Sequence, residues 1–239
     1  QRLNVVFQAH ENSHPILRRH ATVKNFTHIN GKTPHVNLDN AYEGDLKRAS
    51  RHMAEMYGLR ANEQLSRYNI SIPVMQNYAP RIVSDATLPN PILENIAHLP
   101  KPWIGVVPRS NHWPNRTVPD ATWNEAAKAI NGTCFWIGSH APAPEYLCDM
   151  ACRTVDAMIE TIACMDMVVS VDTGPMHIAA ALGIPVFAIK QAVDPELRLS
   201  DQRDFSVIAP DLGCLNCQLH KCPLAEHPPC QTISPDCIA

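Results

Sequence analysis

Four short apolar runs, at residues 103–107, 133–137, 167–171 and 185–189, show no polar alternation, and stretches with helical spacing separate them. A strand can be apolar on both faces only if both are covered, as helices on either side of a parallel sheet cover it. One helical stretch opens at Pro119 and places Trp123, Ala126, Ala127 and Ile130 on one face. The next carries Ala151, Val155, Met158, Ile159 and Ile162, and a third spans residues 175–182. The pattern predicts a doubly wound, Rossmann-like α/β domain, whose ligand lies outside the carboxyl ends of the strands.

The first half is less regular. A β-branched run at residues 3–8, a helix-like stretch over 13–20 and an extended run at 26–29 read as strand, helix and strand. Over residues 43–57 Leu46, Ala49, Met53 and Met56 recur at helical spacing, and Gly58 follows as a C-terminal stop. Prolines at 73, 80, 89, 91, 100 and 102 break regular structure and mark a linker. The expected division is a partial α/β domain with its linker at 1–95, a Rossmann-like domain at 96–210 and a cysteine-rich segment at 211–239.

Composition excludes some classes of function. An apolar fraction of 45% over 239 residues supplies a real core. The net charge of −3 gives no basic field for a phosphate backbone, so nucleic acid is not an expected partner. No apolar run approaches the roughly 20 residues that span a bilayer, and the start lacks a signal-peptide layout, so a soluble cytoplasmic protein is expected. The first residue is Gln1, which suggests a processed chain or a fragment. Asn-x-Ser/Thr triplets at Asn25, Asn69, Asn115 and Asn131 signify only in a secreted chain.

The segment with the most chemistry is residues 169–186, VSVDTGPMHIAAALGIPV. It places Asp172, Thr173 and Gly174 between the end of a strand and the start of a helix. Pro175 suits the first helical position, and the first-turn amides with the positive helix end make a site for a diphosphate. Thr173 adds a hydroxyl donor, Gly174 allows close backbone approach, Asp172 can accept from sugar hydroxyls, and His177 lies one turn in. Taken alone, Asp-Thr-Gly-Pro is equally a plain capped helix start.

The longer Asp-Thr-Gly-x-x-His-x-Ala-Ala-Ala-Leu-Gly-x-Pro string resembles the donor-site motif of glycosyltransferase family 9. That family also has Lys-x-Trp-Pro-x-x-x-Trp leading into a helix, and residues 106–123 read VVPRSNHWPNRTVPDATW. Pro119 and Trp123 fall on the family's Pro and second Trp, Arg116 stands where the family has Lys, and Val118 replaces the first Trp. The resemblance covers residues 102–239. It implies a GT-B-like architecture of two Rossmann-like domains, the N-terminal one incomplete here, and transfer of a sugar with inversion. The implied donor is a nucleotide-diphosphate sugar such as ADP-heptose, and the implied acceptor a glycan or lipid-linked glycan at the inner membrane face. No catalytic metal is implied.

In that chemistry the leaving diphosphate gains charge, which a cation and a helix N-terminus stabilise. The implied donor site is Ser110, Arg116, Asp172, Thr173, Gly174 and His177. The resemblance also implies an N-terminal strand, Gly-rich turn and acidic base, which the sequence from Gln1 does not carry; His10 and Glu11 read as surface residues.

Cys214, Cys217, Cys222 and Cys230 lie within 17 residues, with Cys237 beyond, and zinc, disulfides or reduced packing thiols are all compatible with that spacing. His220 and His227 are alternative ligands. Cys134, Cys148, Cys152 and Cys164 lie in apolar segments as small hydrophobes. Rival readings are a glycosyltransferase scaffold without catalysis, and a metal-binding interaction module built on the terminal cysteines.

Overall fold

In the computed structural model the described residues are 7–9, 14–19, 26–28, 53–71, 81–84, 91–110, 113–138, 142–150, 152, 154–199, 204–226 and 228–239. Strand β1 (Phe7–Ala9), helix α1 (His14–Arg19) and strand β2 (Phe26–His28) form the expected strand-helix-strand unit, with β1 and β2 parallel. Arg19 of α1 bonds Asp156 and, at 3.0 Å, Glu160, both on a helix of the larger sheet described below.

Helix α2 (Met53–Leu65) runs straight through Gly58, so that glycine is not the expected stop. The residues after it, Leu59 to Leu65, are mostly good helix formers, and Met56 and Ala61 on either side of it are buried. The chain leaves α2 through a 3₁₀ turn closed by Asn69 at φ 56°, a left-handed conformation that asparagine tolerates. The predicted helical residues before Met53 lie outside the described residues. The proline-rich stretch holds a short helix, α3 (Pro91–Ile96), with Pro91 at its first position, where a missing N–H costs nothing. Ile82 in the same stretch is buried and donates its N–H to Ala181 O at 3.0 Å.

From there the order is β3 (Trp103–Val107), α4 (Asp120–Ala129), β4 (Thr133–Ile137), β5 (Cys148–Met150), α5 (Val155–Ala163), β6 (Met167–Val171), α6 (Gly174–Leu182), β7 (Val186–Ile189), α7 (Glu196–Leu199) and β8 (Phe205–Ile208). The six strands form one parallel sheet in the order β5-β4-β3-β6-β7-β8. Period-two alternation splits its core into two layers. Trp103, Val107, Phe135, Ile137 and Val168 face α5 and α6, while Ile104, Val106, Trp136, Val169 and Val171 face α4. Ile233 and Ile238 join the second layer, so the end of the chain is packed into the core.

Four local differences from the sequence reading have simple causes. Pro119 is the N-cap of α4 and not its first residue, and Ile130 is its C-cap. Helix α5 starts at Val155 because the Thr154 hydroxyl accepts the Ala157 N–H at 3.1 Å; Ala151 lies outside the described residues. Helix α6 starts one residue early, with Gly174 first and Pro175 second. Strands β5 and β8 sit on the two sheet edges, and β5, reading Cys-Asp-Met, lacks the apolar run that marks a buried strand.

A side chain Cβ at Gly58 would meet nothing within 4 Å. Gly58→Ala is therefore expected to stabilise the chain by about 0.5–1 kcal/mol in urea denaturation. A loss of stability would contradict a continuous α2.

Candidate functional site

The strand order reverses between β3 and β6: one half of the sheet grows outward through β4 to β5, the other through β7 to β8. Connections leaving the two central strands diverge there, and in a doubly wound sheet such a switch point is where a ligand crevice opens, beyond the carboxyl ends of the strands. Residues 108–110 and 113–118 follow β3 on one side of it, and residues 172–177 leave β6 on the other. All six sequence-predicted donor residues stand on these two segments. Three of them, Arg116, Asp172 and His177, are in direct contact.

The first segment folds back on itself. Ser110 donates its N–H to Arg116 O at 2.9 Å, Val118 donates to Pro108 O at 2.9 Å, and Arg109 and Thr117 form an antiparallel bridge. Ser110 is thus the backbone neighbour of Arg116. Across the crevice, Arg116 Nη1 donates to both the backbone oxygen and Oδ2 of Asp172, each at 2.7 Å. The guanidinium lies 4.5 Å from the centre of the Trp113 ring, a cation–π contact that fixes its plane. Arg116 Nε is buried and has no hydrogen-bond partner in the protein. A buried donor of a cationic group, left without an acceptor, suits an anionic ligand oxygen.

The second segment begins with Thr173 as the N-cap of α6, its side chain making no capping bond. Gly174 is exposed, with nothing within 4 Å of where a Cβ would stand. The positive end of this nine-residue helix therefore carries no side-chain capping bond, and its first residue is exposed.

Asp172 is 5% exposed, and His177 Nε2 stands 3.4 Å from its Oδ1. Burial pushes the carboxyl up, but the hydrogen bond and charge of His177, then the charges of Arg116 and Arg198, outweigh it and bring it down to about 2. Both of its oxygens are engaged by protein, Oδ2 by Arg116 and Oδ1 by His177.

Sequence reasoning missed Trp113 and Gln191. An unpaired Trp in a polar, Pro-containing loop three residues before Arg116 is a usable signal for the first. Gln191, 1% exposed, has none, because only the fold carries it to residues 117 and 230. Asn115 is buried and donates to Leu219 O at 3.0 Å, which removes it as an accessible glycan acceptor.

The nine cysteines, all among the described residues, are free thiols. Burial pushes the Cys230 thiol up to about 11, with the charges of Cys217, Cys214 and Cys222 acting in the same direction. Among the described residues no group of three or more His, Cys, Asp or Glu side chains has the arrangement to hold a metal ion. His10, Glu11 and His227 lie outside the described residues. No described helix is long and apolar enough to cross a membrane.

The family model described as Glycosyltransferase family 9 (heptosyltransferase) matches residues 35–227. The chain belongs to that family. Solved structures of glycosyltransferases share its fold. An ADP-heptose LPS heptosyltransferase II from E. coli aligns at 18% identity and TM-score 0.62, over 87% of this chain and 82% of its own. The iron-containing dodecameric glycosyltransferase TibC from enterotoxigenic E. coli aligns at 14% identity and TM-score 0.57, over 98% and 63%. A family 9 glycosyl transferase from Veillonella parvula aligns at 14% identity and TM-score 0.50, over 78% and 52%. The chain thus spans between about half and four fifths of the length of these proteins. No curated protein sequence matches it.

The depressed Asp172 carboxyl links stability to pH. A carboxylate whose folded value lies below its unfolded value, here near 4, stabilises the fold above that range and ceases to as pH falls through 2. The drop to about 2 corresponds to about 2 kcal/mol at neutral pH, and roughly half of it is gone by pH 3. In urea denaturation the stability gap between the natural chain and Asp172→Asn is expected to narrow by about 1 kcal/mol from pH 6 to pH 3. A gap that does not change with pH contradicts the assignment.

Proposed function

We propose that this chain carries the donor site of an inverting glycosyltransferase that moves a sugar, of the heptose type, from a nucleotide-diphosphate donor to a glycan acceptor. The observation that carries the reading is the orphaned Nε of Arg116, buried at the switch point beside the bare N-terminus of α6. Family membership and the ADP-heptose named for the E. coli relative support the donor class. The inverting course, the lipid-linked acceptor and a place at the cytoplasmic membrane face are parts of the same proposal.

The chemistry follows from charge. An acceptor hydroxyl attacks the anomeric carbon, the bond from that carbon to the terminal phosphate oxygen breaks, and the nucleoside diphosphate leaves with one more negative charge. A base takes the hydroxyl proton. Arg116 and the first turn of α6 act on the departing diphosphate, where preorganised donors are worth most because they need not reorient. Asp172 and Trp113 hold the guanidinium in place, and Thr173, Ser110 and Gly174 line its approach. Arg116 offers a planar fork with fixed donor directions, where a lysine would offer a point charge. His177, held on Asp172, faces the same ligand.

Calorimetric titration with ADP-heptose and with ADP tests the site. Arg116→Ala is expected to weaken binding by at least about tenfold, the scale of one charge-assisted contact to phosphate. The circular dichroism spectrum should not change. Equal affinity in the two proteins would sink the donor-site assignment.

A further inference from the structure

Gln191 stands two residues beyond the end of β7 and is buried to 1% exposure. Its Nε2 donates to Thr117 O at 2.9 Å and to Cys230 O at 3.1 Å, and its backbone oxygen accepts the Asn216 N–H at 2.8 Å. One residue therefore ties the chain just beyond β7, the residue after Arg116 and the cysteine-rich segment together. Three more contacts join the same two outlying segments. Asn115 Nδ2 donates to Leu219 O at 3.0 Å, Gln231 Nε2 donates to Pro114 O at 2.6 Å, and the Trp113 and His220 rings meet edge to face at 5.7 Å. The loop is thus held from behind at 113, 114, 115 and 117, while Arg116 between them reaches forward to Asp172.

The Gln191 side chain is not an economical way to fill a core. Its Oε1 is buried and has no partner in the protein, so an apolar residue of similar shape would avoid an unsatisfied acceptor. What the amide offers is two donors on one nitrogen, placed between two backbone carbonyls that belong to different segments.

We infer that Gln191 is a positioning residue of the donor site: it sets the angle of Arg116 through the Thr117 carbonyl and braces that loop against the cysteine-rich segment. The inference rests on the donor-site reading above. It gives the terminal segment a part in ligand binding that needs no metal and no contact with the ligand.

A double-mutant cycle on the 239-residue chain, read by calorimetric titration with ADP, tests it. Gln191→Met keeps the length and removes both donors. In the natural background it is expected to weaken ADP binding about fivefold to tenfold, and in an Arg116→Ala background to change it less than about twofold, because it acts through Arg116. A purely structural role would lower the melting temperature without this dependence on Arg116. Gln231→Ala removes a bond nearer the surface and carries the same test should Gln191→Met not fold; its expected effect is about twofold to threefold, again lost with Arg116→Ala. If Arg116→Ala leaves ADP affinity unchanged, the donor-site reading itself fails. If Arg116→Ala weakens binding but the Gln191 or Gln231 variant has no effect, or the same effect in both backgrounds, the positioning role alone is overturned.

Discussion

A largely buried ion pair, Arg116 with Asp172, joins the two segments that leave the sheet on either side of its switch point. Pairs of this kind gain little net stability, since removing two charges from water costs about what their attraction returns. Their value lies in direction. Asp172 receives the guanidinium through both its carboxylate and its backbone oxygen, Trp113 stacks beneath it, and the buried Nε–H is left without a protein acceptor. An arginine held this way presents a fixed charge to whatever enters the crevice.

The rest of the molecule keeps those two segments still. The loop of Arg116 emerges from a strand buried on both faces, and Asp172 stands between another such strand and a helix whose core side is Pro175, Met176, Ile178 and Ala179. The end of the chain contributes as well, since Ile233 and Ile238 pack beside Trp123 and Trp136. Sites carried on strand ends and helix starts are held more accurately than sites on free loops, which suits electrostatic catalysis that depends on preorganisation. The N-terminal helix is tied to the same body through Arg19 and the two acidic residues of α5.

Much of this was legible in the residues, and the reasons differ by region. The central strands β3, β4, β6 and β7 are continuous apolar runs, so burial on both faces shows directly in composition. The edge strands β5 and β8 are only half covered, and β5 has no apolar signature to read. Gly58 misled because a glycine after helical spacing resembles a C-cap, yet packing on both sides carries α2 through it. Within the site, Asp172, Thr173, Gly174 and His177 are close in sequence and follow one motif. The contact of Arg116 with Asp172 spans 56 positions, and that of Gln191 with Cys230 spans 39, so only the fold brings them together.

A crystal structure of the chain with bound ADP tests the central claim most directly. The account predicts the terminal phosphate over the first turn of α6, within hydrogen-bond distance of the Arg116 guanidinium, with the Arg116–Asp172 pair intact. A diphosphate bound elsewhere, or one in the crevice that leaves Arg116 untouched, would contradict it.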